Sequence, residues 1–143
     1  MYTVEPEDFA LMEFVKKNLD SFLSYFNETR DFSVTFVSDE EIRNLNREYR
    51  NIDSPTDILT FRLADGEDDF PAPDGEDEEM GDIFISLESM KRNASEFGVG
   101  ENDELRRLLL HGLMHLRGWD HKTNDFNLEP MLIEQERILR EIR

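Results

Sequence analysis

The sequence predicts a small layered fold of the α+β or α/β class, in one domain spanning residues 1–143. Three observations carry that expectation. Short alternating or apolar runs that read as strands are interspersed with longer segments that read as helices. No internal repeat and no linker interrupts the pattern. A chain of 143 residues, 38 % hydrophobic and with 11 Phe, has enough apolar material for one Phe-rich core.

In order along the chain, Pro6 to Glu28 reads as the first helix. Phe9, Met12, Leu19, Phe22, Leu23 and Phe26 recur near helical spacing with charged residues between them. Asp31 to Val37 alternates, with Phe32, Val34 and Phe36 apolar, which predicts a strand with one buried face. Ser38 followed three residues later by Glu41 is a capping box, so a second helix starts there and runs to about Tyr49. Arg43, Arg47 and Arg50 share one side if that helix persists. Asp53-Ser54-Pro55 marks a turn, and Ile58 to Leu63 a second strand. Ala64 to Glu79 is expected to be a mobile, solvated loop. Gly81 to Ser86 reads as a third strand. Ser86 can cap a helix to about Phe97 that ends at Gly98 and Gly100. Asp103 is expected to start a fourth helix, and a fifth covers about Phe126 to Ile142. The pattern of Met1 to Val4 does not decide whether it adds a strand.

Composition removes whole classes of function. With no Cys, disulfides, thiolate zinc sites and thiol nucleophiles are excluded. The start of the chain has no basic segment leading into an apolar run, and no apolar stretch reaches the length of a membrane span. A cytoplasmic monomer is the expectation, with no membrane partner and no organic cofactor. The net charge of −18 argues against nucleic-acid binding by the surface as a whole. Nine acids and no base lie between Asp65 and Glu79, half of that net charge. Any nucleic-acid site must therefore be a local basic surface.

All three histidines fall within eleven residues: His111, His115 and His121. The first two are four apart on a predicted helix, so their imidazoles project from one face, one turn apart. Gly118 permits a left-handed residue that ends the helix and turns His121 back toward the same point. Leu108, Leu109, Leu110, Leu113, Met114 and Leu116 give the helix a rigid base in the core. An isolated H-x-x-x-H is usually incidental. Here the third His and the Gly complete the long zincin spacing H-E-x-x-H-x-x-G-x-x-H. Three imidazoles suit a single zinc ion with a coordination position left open, and nickel, copper or another divalent transition metal would accept the same ligands. The Glu that serves as general base in zincin peptidases is replaced by Gly112. Asp120 and Asp125 are candidate partners for the ligand imidazoles, or equally surface acids at a turn.

Three segments carry a family resemblance. His111 to His121, HGLMHLRGWDH, resembles the signature H-G-x-L-H-L-x-G-Y-D-H of the YbeY family of endoribonucleases, the rRNA maturation factors. Met114 and Trp119 are mild departures from it. Leu45 to Phe61, LNREYRNIDSPTDILTF, is similar to the family's L-N-x-x-Y-R-x-x-D-x-P-T-D/N-V-L-S-F, and Gly81 to Ser86 to its G-D-I-x-I-S strand. The resemblance extends from about Ser33 to Glu136. It implies a mixed sheet of about four strands with helices packed around it. It also implies a metal-dependent endoribonuclease specific for single-stranded RNA, used in ribosomal RNA maturation and ribosome quality control, with the ribosome or its proteins as partners. The family's metal ligands map onto His111, His115 and His121, and an activity-linked Arg onto Arg50.

Two other functions compete. The ligand spacing fits a metallopeptidase, which the missing Glu opposes. A non-enzymatic ribosome-associated module with a structural metal would need a fourth ligand, for which only a carboxylate such as Asp120 exists.

Overall fold

Alternation and capping set most of the element boundaries in the computed structural model, which describes residues 2–5, 8–63, 79–119 and 130–142, the first of these as backbone only. The elements in order are β1 (Tyr2–Glu5), α1 (Phe9–Phe26), β2 (Asp31–Val37), α2 (Asp39–Arg50), β3 (Ile58–Arg62), β4 (Glu79–Ser86), α3 (Leu87–Phe97), α4 (Glu101–Leu116) and α5 (Pro130–Glu141). The fold is α+β, as expected. One mixed sheet has the order β1-β2-β4-β3. β1 and β4 run parallel to β2, and β3 runs antiparallel to β4 at the edge.

The N-terminal segment does add a strand: Val4 lies opposite Val34. α1 is shorter than expected. The Asp8 side chain accepts from the Leu11 N–H at 3.0 Å and so starts the helix, leaving Phe9 79 % exposed instead of on the buried face. Asn27, at φ 53°, ends it. The Ser38 cap is present, accepting from the Glu41 N–H at 3.1 Å and donating to the Glu41 carboxylate at 3.2 Å. α4 begins at Glu101, two residues before the expected Asp103, with Gly100 at its cap and Glu101, Asp103 and Glu104 in its first turn. β4 begins two residues before Gly81. A bulge in its register with β2 lies between Glu79 and Gly81. Gly81, at φ 143°, is required there, because a Cβ would lie 2.0 Å from the Phe61 carbonyl oxygen. The acidic stretch of residues 64–78 lies outside the described residues, as do the first residues of the expected last helix.

The two faces of the sheet are covered differently. Ile58, Thr60 and Arg62 of β3 turn toward α4, while Leu59 and Phe61 turn toward α2, where Phe61 meets Tyr49 edge to face at 5.3 Å. The main core lies on the α4 face. Val34, Ile83 and Ile85 pack there against Leu109, Leu110, Leu113, Met114 and the buried sides of α1 and α5. α4 touches α1, α3, α5, β3 and β4. The helix carrying the first two histidines is therefore held in place by five other elements.

Candidate metal centre

α4 crosses the sheet at very short range. At Gly112 an added Cβ would meet Ile83 Cδ1 at 3.0 Å and Ile58 Cδ1 at 3.1 Å. This close approach rolls the helix so that residue 112 faces the sheet, and His111 and His115 sit at the margin, half-buried. The position that would carry a zincin peptidase's Glu is filled by the walls of the core.

The two imidazoles converge. His111 Nε2 and His115 Nε2 lie 3.1 Å apart, with ring centroids at 4.6 Å and planes at 80°. Two nitrogens bound at about 2.0–2.1 Å to one tetrahedral ion stand at close to that separation. The Nδ1 of His111 donates to Gln135 Oε1 at 2.7 Å, so that in the neutral form of the ring the proton sits on Nδ1 and the Nε2 lone pair is directed at the shared point. Gln135 comes from α5 and is 3 % exposed. Its own N–H donates to Glu136 at 3.3 Å, and Glu136 accepts two bonds from Arg107 at 2.9 and 3.0 Å. Burial opposes the charge on Glu136, but the bonds from Arg107 and Gln135 outweigh it and hold the pKa below the ordinary value.

The expected turn also forms. α4 ends at Leu116, Gly118 takes φ 104°, and its N–H bonds to the His115 carbonyl at 3.0 Å. His121, Asp120 and Asp125 lie outside the described residues. Among the described residues no third His, Asp or Glu completes a metal-binding group with His111 and His115. The described side chains, two convergent imidazoles with one ring oriented by a buried amide, fit a borderline-soft divalent ion.

A cleft of about 420 Å³ opens beside His115 and is lined by Arg50, Thr60, Arg62, Gly118 and Trp119. Arg50 ends α2, reaches round the sheet edge to donate to the Thr60 carbonyl at 2.8 Å, and lies 4.8 Å from the Phe61 ring centroid. It therefore parts company with Arg43 and Arg47, which turn to Asp53 at 2.8 and 3.8 Å. Arg62 donates to the Leu116 carbonyl at 3.3 Å. A chain of net charge −18 thus gathers two guanidinium groups beside the histidine pair. Sequence reading missed Gln135 and Arg62. For Arg62 a signal existed: it alternates with Ile58 and Thr60 on the same face of β3.

The model of the family "Endoribonuclease YbeY" matches residues 3–143. The chain belongs to the YbeY family. Endoribonuclease YbeY of Treponema denticola is 45 % identical over 115 residues, covering 76 % of this chain and 69 % of the relative. That of Borrelia recurrentis is 38 % identical over 135 residues, covering 89 % and 88 %. The solution structure of TM1509 from Thermotoga maritima is similar, with a TM-score of 0.66 at 29 % identity over 99 % of this chain and 89 % of that one.

Proposed function

We propose that this chain is a metal-dependent endoribonuclease that cuts single-stranded RNA in the cytoplasm, working in ribosomal RNA maturation and ribosome quality control. The carrying observation is the pair of convergent imidazoles opening onto a cleft with two arginines. His111, His115 and His121 would hold one zinc ion. Such an ion supplies Lewis acidity toward a phosphoryl oxygen and toward water.

The protein's own groups have separate tasks. Gln135 holds the His111 ring in the tautomer that presents Nε2. Arg50 offers a planar fork that matches a phosphate bidentately, and its stacking on Phe61 keeps that fork in place before substrate arrives. Arg62 adds a second cation on the same wall. Trp119 offers a flat surface on which a base can stack. The peptidase reading loses its base at Gly112 and gains nothing in return. A purely structural metal would leave the open arginine-lined cleft beside His115 without a role.

Elemental analysis of the purified protein, joined to RNA cleavage after chelation and metal return, tests the proposal. Cleavage should vanish on chelation and return with zinc or a similar ion. Arg50→Ala should keep fold and metal and lose cleavage, and Arg50→Lys should recover little, since an ammonium cannot bind bidentately. Wild-type cleavage by Arg50→Ala would reduce Arg50 to a surface residue.

A further inference from the structure

The cleft beside His115 is one of two arms that share Ile58 as a wall. A second cleft, of about 630 Å³, opens beside His111 between α4, α5 and the start of β3. The size is ordinary for a ligand site. The two arms have opposite character. Where the first has Arg50 and Arg62, the second has Asp57, Glu104 and Glu136 against a single Arg107. That Arg107 is already engaged by Glu136 at 2.9 Å and lies 3.7 Å from Glu104. The remaining wall is apolar, from Val99, Leu108, Leu132 and a Phe97 that is 67 % exposed.

An RNA strand cannot place a phosphate in this acidic arm. What flanks a phosphate along RNA is a base, and a base has the matching chemistry: an apolar face for Phe97 and Leu132, and an edge of hydrogen-bonding groups for the rim. Carboxylates accept N–H bonds and repel carbonyl oxygens. Cytosine, adenine and guanine each carry an exocyclic amino group, where uracil has a single ring N–H set between two carbonyl oxygens that a carboxylate repels. Asp57 is well placed to make the distinction. Its carbonyl accepts the Ser86 N–H at 2.9 Å, which fixes it to the sheet; one carboxylate oxygen accepts from Asn93 at 2.9 Å and the other from the Thr56 hydroxyl at 3.4 Å, and each oxygen has capacity for a further bond.

We propose that this second cleft is a base-reading subsite, which takes an amino-bearing nucleobase next to the phosphate held at the histidine pair in preference to uracil. It rests on the endoribonuclease reading above, and the test separates the two. The full chain with its metal is given unstructured RNAs in which each position around the cut is varied, and cleavage products are sequenced. Uracil should be disfavoured about fivefold or more at one position flanking the cut. Asp57→Asn offers uracil a donor and should remove most of that bias. Phe97→Ala should raise KM for every sequence. Independently of cleavage, cytidine and uridine are titrated onto the protein while the methyl resonances of Val99, Leu108 and Leu132 are followed by NMR. Cytidine should shift them more. If no RNA is cut but cytidine binds selectively, the cleavage reading fails and the subsite stands. If RNA is cut with uracil accepted equally on both sides, or if cytidine shifts the methyls no more than uridine, the subsite is overturned.

Discussion

At residue 112 the packing leaves no room for a side chain, and the consequences are chemical as well as steric. Gly112→Glu would push a carboxylate into Ile58 and Ile83. It should destabilise the fold by about 3 kcal/mol or more and confer no peptide cleavage, as read by urea unfolding and a peptide assay. The neighbouring His111 depends on a different residue. Gln135→Met keeps the length of the side chain but removes the acceptor for His111 Nδ1. Metal affinity should then fall roughly 10- to 100-fold with the fold intact, measured by competition with a chromophoric chelator. Unchanged affinity would mean that the ring needs no orienting partner. His111→Ala or His115→Ala leaves two imidazoles and should lose most of the metal, and full stoichiometry in either variant would refute the ligand assignment.

At the scale of elements, the ends of α1 and α4 are tied together just after His115. Glu28 follows the Asn27 cap and pairs with Arg30 at 2.8 Å and with Arg117, whose guanidinium also lies 4.5 Å from the Phe26 ring. The Arg30 hydrogen bond, with help from Arg117, lowers the Glu28 pKa from 4.5 to about 2. A depressed carboxylate pKa stabilises the fold above the unfolded value and loses that contribution as pH falls through the folded one. Wild-type stability should therefore decline between about pH 4.5 and 2 in a way that Glu28→Gln does not, as read from urea midpoints across that range. Arg117→Met should cost about 2 kcal/mol near neutrality. Much of the element structure was legible because its signals are local. Ser38 and Ser86 capped the helices expected of them, Gly98 and Gly118 turned as expected, and Phe32, Val34 and Phe36 faced the core. What escaped depends on distant partners. Gln135 is an ordinary amide until folding places it against an imidazole 24 residues away. β1 is four residues whose meaning comes from their parallel register with β2. The start of α1 moved because Asp8, and not a residue nearer Pro6, supplied the cap.

At the scale of the molecule, charge is distributed against the task. The net charge of −18 opposes RNA, and half of it comes from nine acids between Asp65 and Glu79, in the connection between β3 and β4 and at the first residue of β4. Arg62, on the wall of the arginine-lined cleft, ends β3 just before that connection. Deleting residues 67–78 and closing with a short turn should leave the fold intact, because β3 and β4 keep their antiparallel ladder. RNA binding should tighten at low salt, with the gain fading as the screening length falls to about 8 Å near physiological ionic strength. Unchanged affinity at low salt would place the loop away from the RNA path, and lost cleavage with an intact fold would make its acids part of the site. The bond between Gln135 and His111 also imposes an order in time. The ribosome makes a protein from its N-terminal end, so His111 and His115 on α4 are synthesised before the amide on α5 that orients the first of them. A chain cut short between His121 and Gln135 carries every histidine and no acceptor for His111 Nδ1 from α5. Such a fragment has the histidines of the proposed metal site without the residue that aligns His111.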